Sequence, residues 1–327
     1  MQNHTEKIAD WLLAGLELKS TLFHVCQYCG NWRASTANHQ KASFHVVLHG
    51  NCWLHLPARP GHAAESIRLA QGDAVFLLHD MPHCVSPFAD APPVDESGPT
   101  GTMQKLRTAA SPQQPSVGIA CGFFEFRSGL DNQLLALIPD YIVARHAAEP
   151  DGPRAVFDLI RAEAQLHPDA PSPLIARLTE LLFFYALRQV AASDEIAPGL
   201  WSLMRRAEFA PLITAIIDTP AERWTTDAMA SFVHMSRARF CKQFVEACGQ
   251  PPAQFVTLVR MKMAAAMLRT GTTTPDAAEQ VGYQSESAFS HAFKRVTGEQ
   301  PGAYRRTRTQ EPAVSTVSIG ANMGALH

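Results

Sequence analysis

The feature that most limits what this chain can become lies in its last third, where one design is written twice. Thr226 to Val233 reads as a short helix opening on Thr-Asp, followed by the turn His234-Met235, a cap at Ser236, and a second helix, Arg237 to Ala247, ending at Gly249. The order returns as Thr274 to Val281, the turn Gly282-Tyr283, a cap at Ser285, and Glu286 to Val296 ending at Gly298. In a helix-turn-helix the first helix braces the second, so the inner face needs a small residue, and Ala230 and Ala278 supply it. Phe240 and Phe244 match Phe289 and Phe293; a spacing of four puts each pair on one helical face, where it anchors the second helix in a core. The opposite faces present Arg237, Arg239, Cys241 and Lys242, and then Glu286, Ser287, Ser290, His291 and Lys294, as candidates to face a DNA groove.

Between the units, Pro252 to Arg269 reads as one helix, roughly 27 Å long at 1.5 Å per residue. Two recognition helices on such a strut suit two major-groove segments one turn, about 34 Å, apart. Charge supports the division. The net −2 resolves into −4 for residues 1–207, +3 for 208–310 and −1 for the tail. So modest a surplus implies that DNA is held by two-site geometry and dimerisation more than by bulk charge.

The front third has a different chemistry. Eight of the fourteen histidines and four of the seven cysteines lie between His24 and Cys84, a density that suggests ligand chemistry there. The segment reads as short strands. Phe44 to His49 and Cys52 to Leu56 flank Gly50-Asn51, the pattern of a β-hairpin; Ser66 to Leu69 is a third strand, and Gln71-Gly72-Asp73 turns into a fourth, Ala74 to Leu78. Residues 90–116, rich in Pro, Gly and Ser, read as a mobile insertion, after which Val117 to Phe126 returns as the last strand. Beyond Leu130 the pattern is helical: Leu174, Leu178, Leu181, Leu182 and Tyr185 form a stripe after the start signal Pro171-Ser172-Pro173, and Ser193 to Gly199 reads as a linker. The longest apolar runs, such as Leu181 to Ala186, fall far short of the ~20 residues of a membrane span. An odd cysteine count in a long chain is unlike a secreted disulfide framework, so a cytoplasmic protein is expected.

Residues from about 208 to 306 resemble the DNA-binding domain of the AraC/XylS family of transcription regulators. The resemblance is carried by Ala277-Ala278-Glu279-Gln280-Val281-Gly282-Tyr283, Ser287-Ala288-Phe289-Ser290, Phe293-Lys294, Gly298, Pro301 and Tyr304-Arg305. It implies base-reading positions at Ala238, Cys241 and Lys242 in the first unit and Glu286, Ser287 and His291 in the second. Lys242 is the best donor to a base edge, with Cys241 as a small apolar contact. Arg237, Arg239, Lys294 and Arg305 read as phosphate-positioning groups.

Gly72-Asp73-Ala74-Val75-Phe76-Leu77-Leu78 with His83, together with Phe44 to Gly50 and Cys121-Gly122, resembles the cupin barrel of AraC-type regulators with a cupin-like sensor. The His-x-His and following Glu of enzymatic cupins are absent from the first hairpin, which argues against enzyme chemistry. His45, His83 and Cys121 converge if the strands close into a barrel; Cys26 would complete a Cys2His2 set suited to tetrahedral zinc. In the reactive-chlorine-sensing regulators that this domain resembles, cysteines match Cys26 and Cys121 and histidines match His45 and His83. Cys26-Gln27-Tyr28-Cys29-Gly30 reads three ways: as metal ligands, as a redox pair of Cys26 and Cys29, or as two structural strand cysteines. His49, His55 and His62 read as solvated or turn residues, His24 and His79 as supports of a site, and Trp32 and Trp53 as core.

The fold class expected is α+β: a cupin-like barrel over 1–130 containing the insertion, a helical region over 131–198, an all-α double helix-turn-helix domain over 208–306, and a flexible tail over 307–327. The function expected is a transcription regulator that binds promoter DNA and senses an oxidant or metal-linked signal. It is expected to form a homodimer through helices in 171–192, with RNA polymerase as a further partner. The competing expectations are a metal-free barrel sensing a small organic molecule, and a cupin enzyme with a DNA-binding appendage.

Overall fold

The computed structural model describes residues 7–8, 10–12, 14, 16, 18–90, 102–106, 116–126, 130, 133–134, 137–146, 152–167, 172–192 and 200–309. Most of the expected mobile insertion, the linker Ser193 to Gly199 and the tail from residue 310 lie outside these residues.

Among the described residues the N-terminal part contains nine strands: β1 (Leu18–Cys29), β2 (Ala42–His49), β3 (Cys52–Leu56), β4 (Glu65–Leu69), β5 (Ala74–Leu77), β6 (Cys84–Ser86), β7 (Thr102–Gln104), β8 (Ser116–Phe126) and β9 (Tyr141–Ala144). A six-stranded sheet in the order β7-β1-β8-β2-β5-β9 faces a three-stranded sheet, β4-β3-β6, and all their pairings are antiparallel. The described pairings do not join the two sheets into one closed barrel. Val47, Val75, Leu77 and Ile119 of the large sheet pack with Cys52, Leu54, Leu69 and Val85 of the small one to fill the interior.

Gly50-Asn51 is a corner and not the expected hairpin turn. Both edges of β2 are taken by β8 and β5, so β3 cannot pair with it and passes into the other sheet. Gly50 makes the crossing with φ +78°, and a Cβ there would lie 2.5 Å from the Ser116 carbonyl oxygen. Gly72 (φ +91°) turns the chain back from β4 to β5. The Asp73 carboxylate holds that second corner, accepting from the Ala70 and His146 backbone N–H groups and from Arg145 Nη1 at 2.8–3.0 Å.

Two further strands depart from the sequence reading. β8 is not the last strand, because Tyr141–Ala144, inside the region expected to be helical, pairs with β5 as β9. Thr102–Gln104, within the expected insertion, adds an edge strand beside β1.

The other face of the large sheet is covered by α1 (Gly152–Leu166) and α2 (Pro173–Ala192). Phe183 of α2 meets Phe76 and Phe124 with ring centroids 5.4 and 5.5 Å apart, while Phe44 lies 5.0 Å from Phe124. Both faces of the sheet are therefore dry, and seven of the eight β2 residues are buried without alternation.

The C-terminal part is all helical: α3 (Leu200–Arg205), α4 (Phe209–Asp218), α5 (Thr226–Phe232), α6 (Arg237–Cys248), α7 (Pro252–Arg269), α8 (Thr274–Gln280), α9 (Glu286–Thr297) and α10 (Pro301–Thr309). Each helix of both helix-turn-helix units starts on a side-chain cap. Thr225, Ser236, Thr273 and Ser285 accept from the N–H three residues on, and Gly249 and Gly298 close α6 and α9 in the left-handed region. Phe240, Phe244, Phe289 and Phe293 are fully buried, as their spacing demanded.

The two parts touch. The buried Lys262 of α7 donates to the Leu12 carbonyl at 2.7 Å, its ammonium lies 4.5 Å from the Trp11 ring centroid, and Lys7 pairs with Asp218. No helix among the described residues is long and apolar enough to cross a membrane.

Candidate sensor cluster and nucleic-acid interface

The sheet register builds the first site. β8 lies between β1 and β2, and Cys121 is paired with His24 on one side and His45 on the other, giving a row of His, Cys and His across three strands. A register shift between Leu22 and His24 sets this alignment. From the opposite side His83, just before β6, brings Nε2 to 3.1 Å from His45 Nε2, and Cys121 Sγ lies 3.1 Å from His45 Nδ1.

The acceptors dictate the direction of these hydrogen bonds. His83 Nδ1 is 2.8 Å from the Met81 carbonyl and must donate to it, which leaves Nε2 as an acceptor, also reached by the Thr36 N–H at 3.2 Å. His45 Nε2–H then donates to His83, His45 Nδ1 is bare, and the Cys121 thiol donates to it. The result is a one-way chain from Cys121 through His45 and His83 to a carbonyl. Thr36 closes its end, with Oγ1 3.1 Å from His83 Nε2 and donating to Ser43 Oγ at 2.7 Å.

Burial enforces these neutral states. It pushes His45 down to about 3, with His83 and His24 adding repulsion, and holds His83 and His24 below the usual imidazole range. It raises the Cys121 thiol well above the usual value and pushes Cys26 up to about 12. Cys26 lies on the same strand face as His24 and Tyr28, its Sγ 2.9 Å from His24 Nε2, which is itself 2.7 Å from the Tyr28 hydroxyl.

The four expected ligands are thus drawn into one interior, but as arranged they do not surround a single point. His83 and Cys121 approach opposite ring nitrogens of His45, while the sulfur of Cys26 is engaged by His24. Among the described residues no three His, Cys, Asp or Glu side chains are grouped to hold a metal ion. Cys29 is buried, but three residues from Cys26 on an unbroken strand, and so on the opposite face. Thr36 and Ser43 escaped the sequence reading, since nothing distinguishes a loop threonine until the fold sets it against two histidines. His55, expected to be solvated, is buried between Ser66 and Ser86 at 2.8 and 3.0 Å. Trp32 is core, as expected, and Trp53 half-buried.

The second site is the outer surface of α6 and α9. Arg237, Ala238, Arg239 and Lys242 are exposed on α6, with Cys241 half-buried beside them; Glu286, Ser287, His291 and Lys294 are exposed on α9, with Ser290 half-buried, and Arg305 on α10 is half-buried. Arg237 pairs with Asp227 at 3.2 Å and Lys242 with Glu246 at 3.9 Å, both exposed pairs that a phosphate can displace at little cost. Arg295, exposed at the end of α9, adds a cation to this surface that the sequence reading had passed over.

Comparisons with known proteins accord with both halves. A cupin family model matches residues 10–192, and a helix-turn-helix domain model matches 229–307. The chain is 27% identical over 289 residues to an HTH-type transcriptional regulator of Haemophilus influenzae, covering 86% of this chain and 92% of that one. It is 29% identical over 284 residues to an AraC-like transcription regulator of Streptomyces lividans, covering 86% and 91%. It is also 29% identical over 201 residues to the RCS-specific HTH-type transcriptional activator RclR of Escherichia coli, covering 60% and 71%. All three relatives are described as transcription regulators. The chain belongs to the AraC family of DNA-binding transcription regulators and carries its helix-turn-helix domain behind an N-terminal cupin domain.

Proposed function

We propose that the cupin domain senses an electrophilic oxidant of the hypochlorite type and that Cys121 is the group that reports it. The observation that carries this reading is the directed chain from the Cys121 thiol through His45 to His83. A buried, protonated thiol is a poor nucleophile on its own, and an adjacent base relieves that by taking the proton as sulfur reacts. Hypochlorous acid would convert Cys121–SH to Cys121–SOH with release of chloride, sulfur losing two electrons and chlorine gaining them, and the one proton set free is taken up by the imidazole pair. The thiol proton passes to His45 Nδ1 while His45 Nε2 gives up its own to His83. The E. coli relative described as RCS-specific supports the choice of oxidant.

The signal acts on promoter DNA read by both helix-turn-helix units. Lys242 and His291 face the bases, and Arg237, Arg239, Lys294 and Arg305 the phosphates. RNA polymerase is the downstream partner, and the cytoplasm is where the protein acts. A homodimer through α2 is supported by the fate of the leucine stripe: Leu182 is buried (2% exposed), whereas Leu174 and Leu181 stand 51% and 44% exposed on the outer side.

The test is a mobility-shift titration of the full chain on a duplex enriched from a random pool, with and without hypochlorite, and in parallel with a chelator or added zinc. Hypochlorite is expected to change DNA affinity at least ~10-fold in wild type and not in Cys121→Ser, a size typical of coupled sites. An affinity indifferent to hypochlorite overturns the reading, and a response to chelator or zinc alone replaces it with a metal-linked signal.

A further inference from the structure

The double helix-turn-helix domain contains a contact between its two units that neither recognition helix explains. The turn of the second unit, Gly282-Tyr283, rests on the loop that leads into the first helix of the first unit. Gly282 has φ +81°, and a Cβ on it would lie 2.5 Å from the Ala221 carbonyl oxygen and 2.8 Å from its Cα, so the two backbones meet without a side chain between them. Arg260, half-buried on the connecting helix α7, clamps the junction. Its Nε donates to the Pro220 carbonyl at 2.8 Å, its Nη2 donates to the Glu222 carbonyl at 2.9 Å, and its guanidinium lies 5.7 Å from the centroid of the Tyr283 ring. Trp224 Nε1 braces the same loop through the Thr219 carbonyl at 2.8 Å. One planar cation thus holds three elements, and only a guanidinium can fork to two carbonyls while presenting a face to an aromatic ring.

We propose that Arg260, acting with Gly282 and Tyr283, is a positioning residue that sets the spacing and phase of the two recognition helices, and thereby the number of base pairs between the two half-sites the protein accepts. This rests on the proposed reading of DNA by both units. The α7 strut fixes how far apart the units are held, and its buried residues pack against helices of both, but it makes no direct tie from one unit to the other. The clamp supplies that tie, joining the second unit's turn to the first unit's loop and stiffening their relative orientation. Because a rigid pair of readers places its second unit at the second groove without further ordering, such a clamp favours one spacing over its neighbours.

The experiment uses the full chain and a duplex selected by it from a random pool, compared with a duplex in which one half-site is scrambled and with duplexes having one base pair inserted or deleted between half-sites. Arg260→Met is expected to weaken the two-site duplex about 10-fold, to leave binding to the single half-site within about twofold, and to shrink the penalty for changed spacing. Tyr283→Phe keeps the ring and behaves as wild type, and Tyr283→Leu follows Arg260→Met. Retained single-site binding shows that a variant is folded; should Arg260→Met fail it, Arg260→Lys and Tyr283→Leu carry the comparison. An unchanged spacing penalty in the variants overturns the proposal, as does a parallel loss on both duplexes. A wild type that binds one- and two-site duplexes alike removes the two-unit reading and the proposal with it. A wild type that discriminates while its variants discriminate equally well removes only the clamp.

Discussion

Cys121 and His45 were picked out in the sequence by residue type, yet their roles depend on which nitrogen faces which partner. The carbonyl of Met81 decides this, because by taking His83 Nδ1–H it orders every donor back to the Cys121 thiol. The chain is stable only while both imidazoles stay neutral. His45 is held at about 3 against an ordinary 6.5, so the unfolded chain takes up a proton at His45 between those values that the folded chain does not. Stability contributed by this depression is present above pH 6.5 and lost as the pH falls toward 3. Denaturant midpoints should therefore drop between pH 7.5 and pH 5.5, and His45→Gln should reduce the proton uptake on unfolding by about one. A pH slope the same in both proteins would rule out a buried neutral His45. The turn of the first helix-turn-helix unit adds a second residue-scale lesson: His234 takes φ +55° where the second unit has Gly282. The repeat was visible in the letters, but the left-handed backbone at a histidine was not.

At the scale of elements, helices and strands were legible to different degrees. α6, α7 and α9 were read to within a residue or two because caps, period and C-terminal glycines are local signals along one segment. The strands were also found, apart from β1, β6, β7 and β9, but their partners were not. Gly50-Asn51 has the letters of a hairpin turn and serves as a corner between sheets, since a turn signal states that the chain bends and not which strand lies beyond the bend. Gly50→Ala tests the corner. With φ +78° and the Ser116 carbonyl 2.5 Å from a Cβ, it should cost the N-terminal domain at least about 2 kcal/mol by denaturant unfolding, while Asn51→Ala stays within about 0.5 kcal/mol. Equal and small effects would mean that the corner relaxes freely.

For the whole molecule, the leucine stripe shows how one pattern divides in three dimensions. Leu182 joins the core under the large sheet, while Leu174 and Leu181 remain outside, with Leu178 and Tyr185 half-buried between. If that outer face joins two copies, the double variant Leu174→Glu, Leu181→Glu should sediment as a monomer with an unchanged melting temperature, whereas Leu182→Glu should unfold the domain. A double variant that still sediments as a dimer places the interface elsewhere.

The sequence by itself determined the tandem helix-turn-helix units, their caps and anchoring phenylalanines, the division of charge and the wealth of His and Cys in the β-rich part, all encoded over a few adjacent residues. Only the tertiary structure decided that Thr36 meets His83, that Cys121 stands between His24 and His45, that Cys26 and Cys29 face apart, and that Arg260 ties the two units together. The physical reason is that these depend on strand register, corner direction and long-range packing, which are set by how distant segments exclude water from one another and leave no trace in the spacing of neighbouring residues.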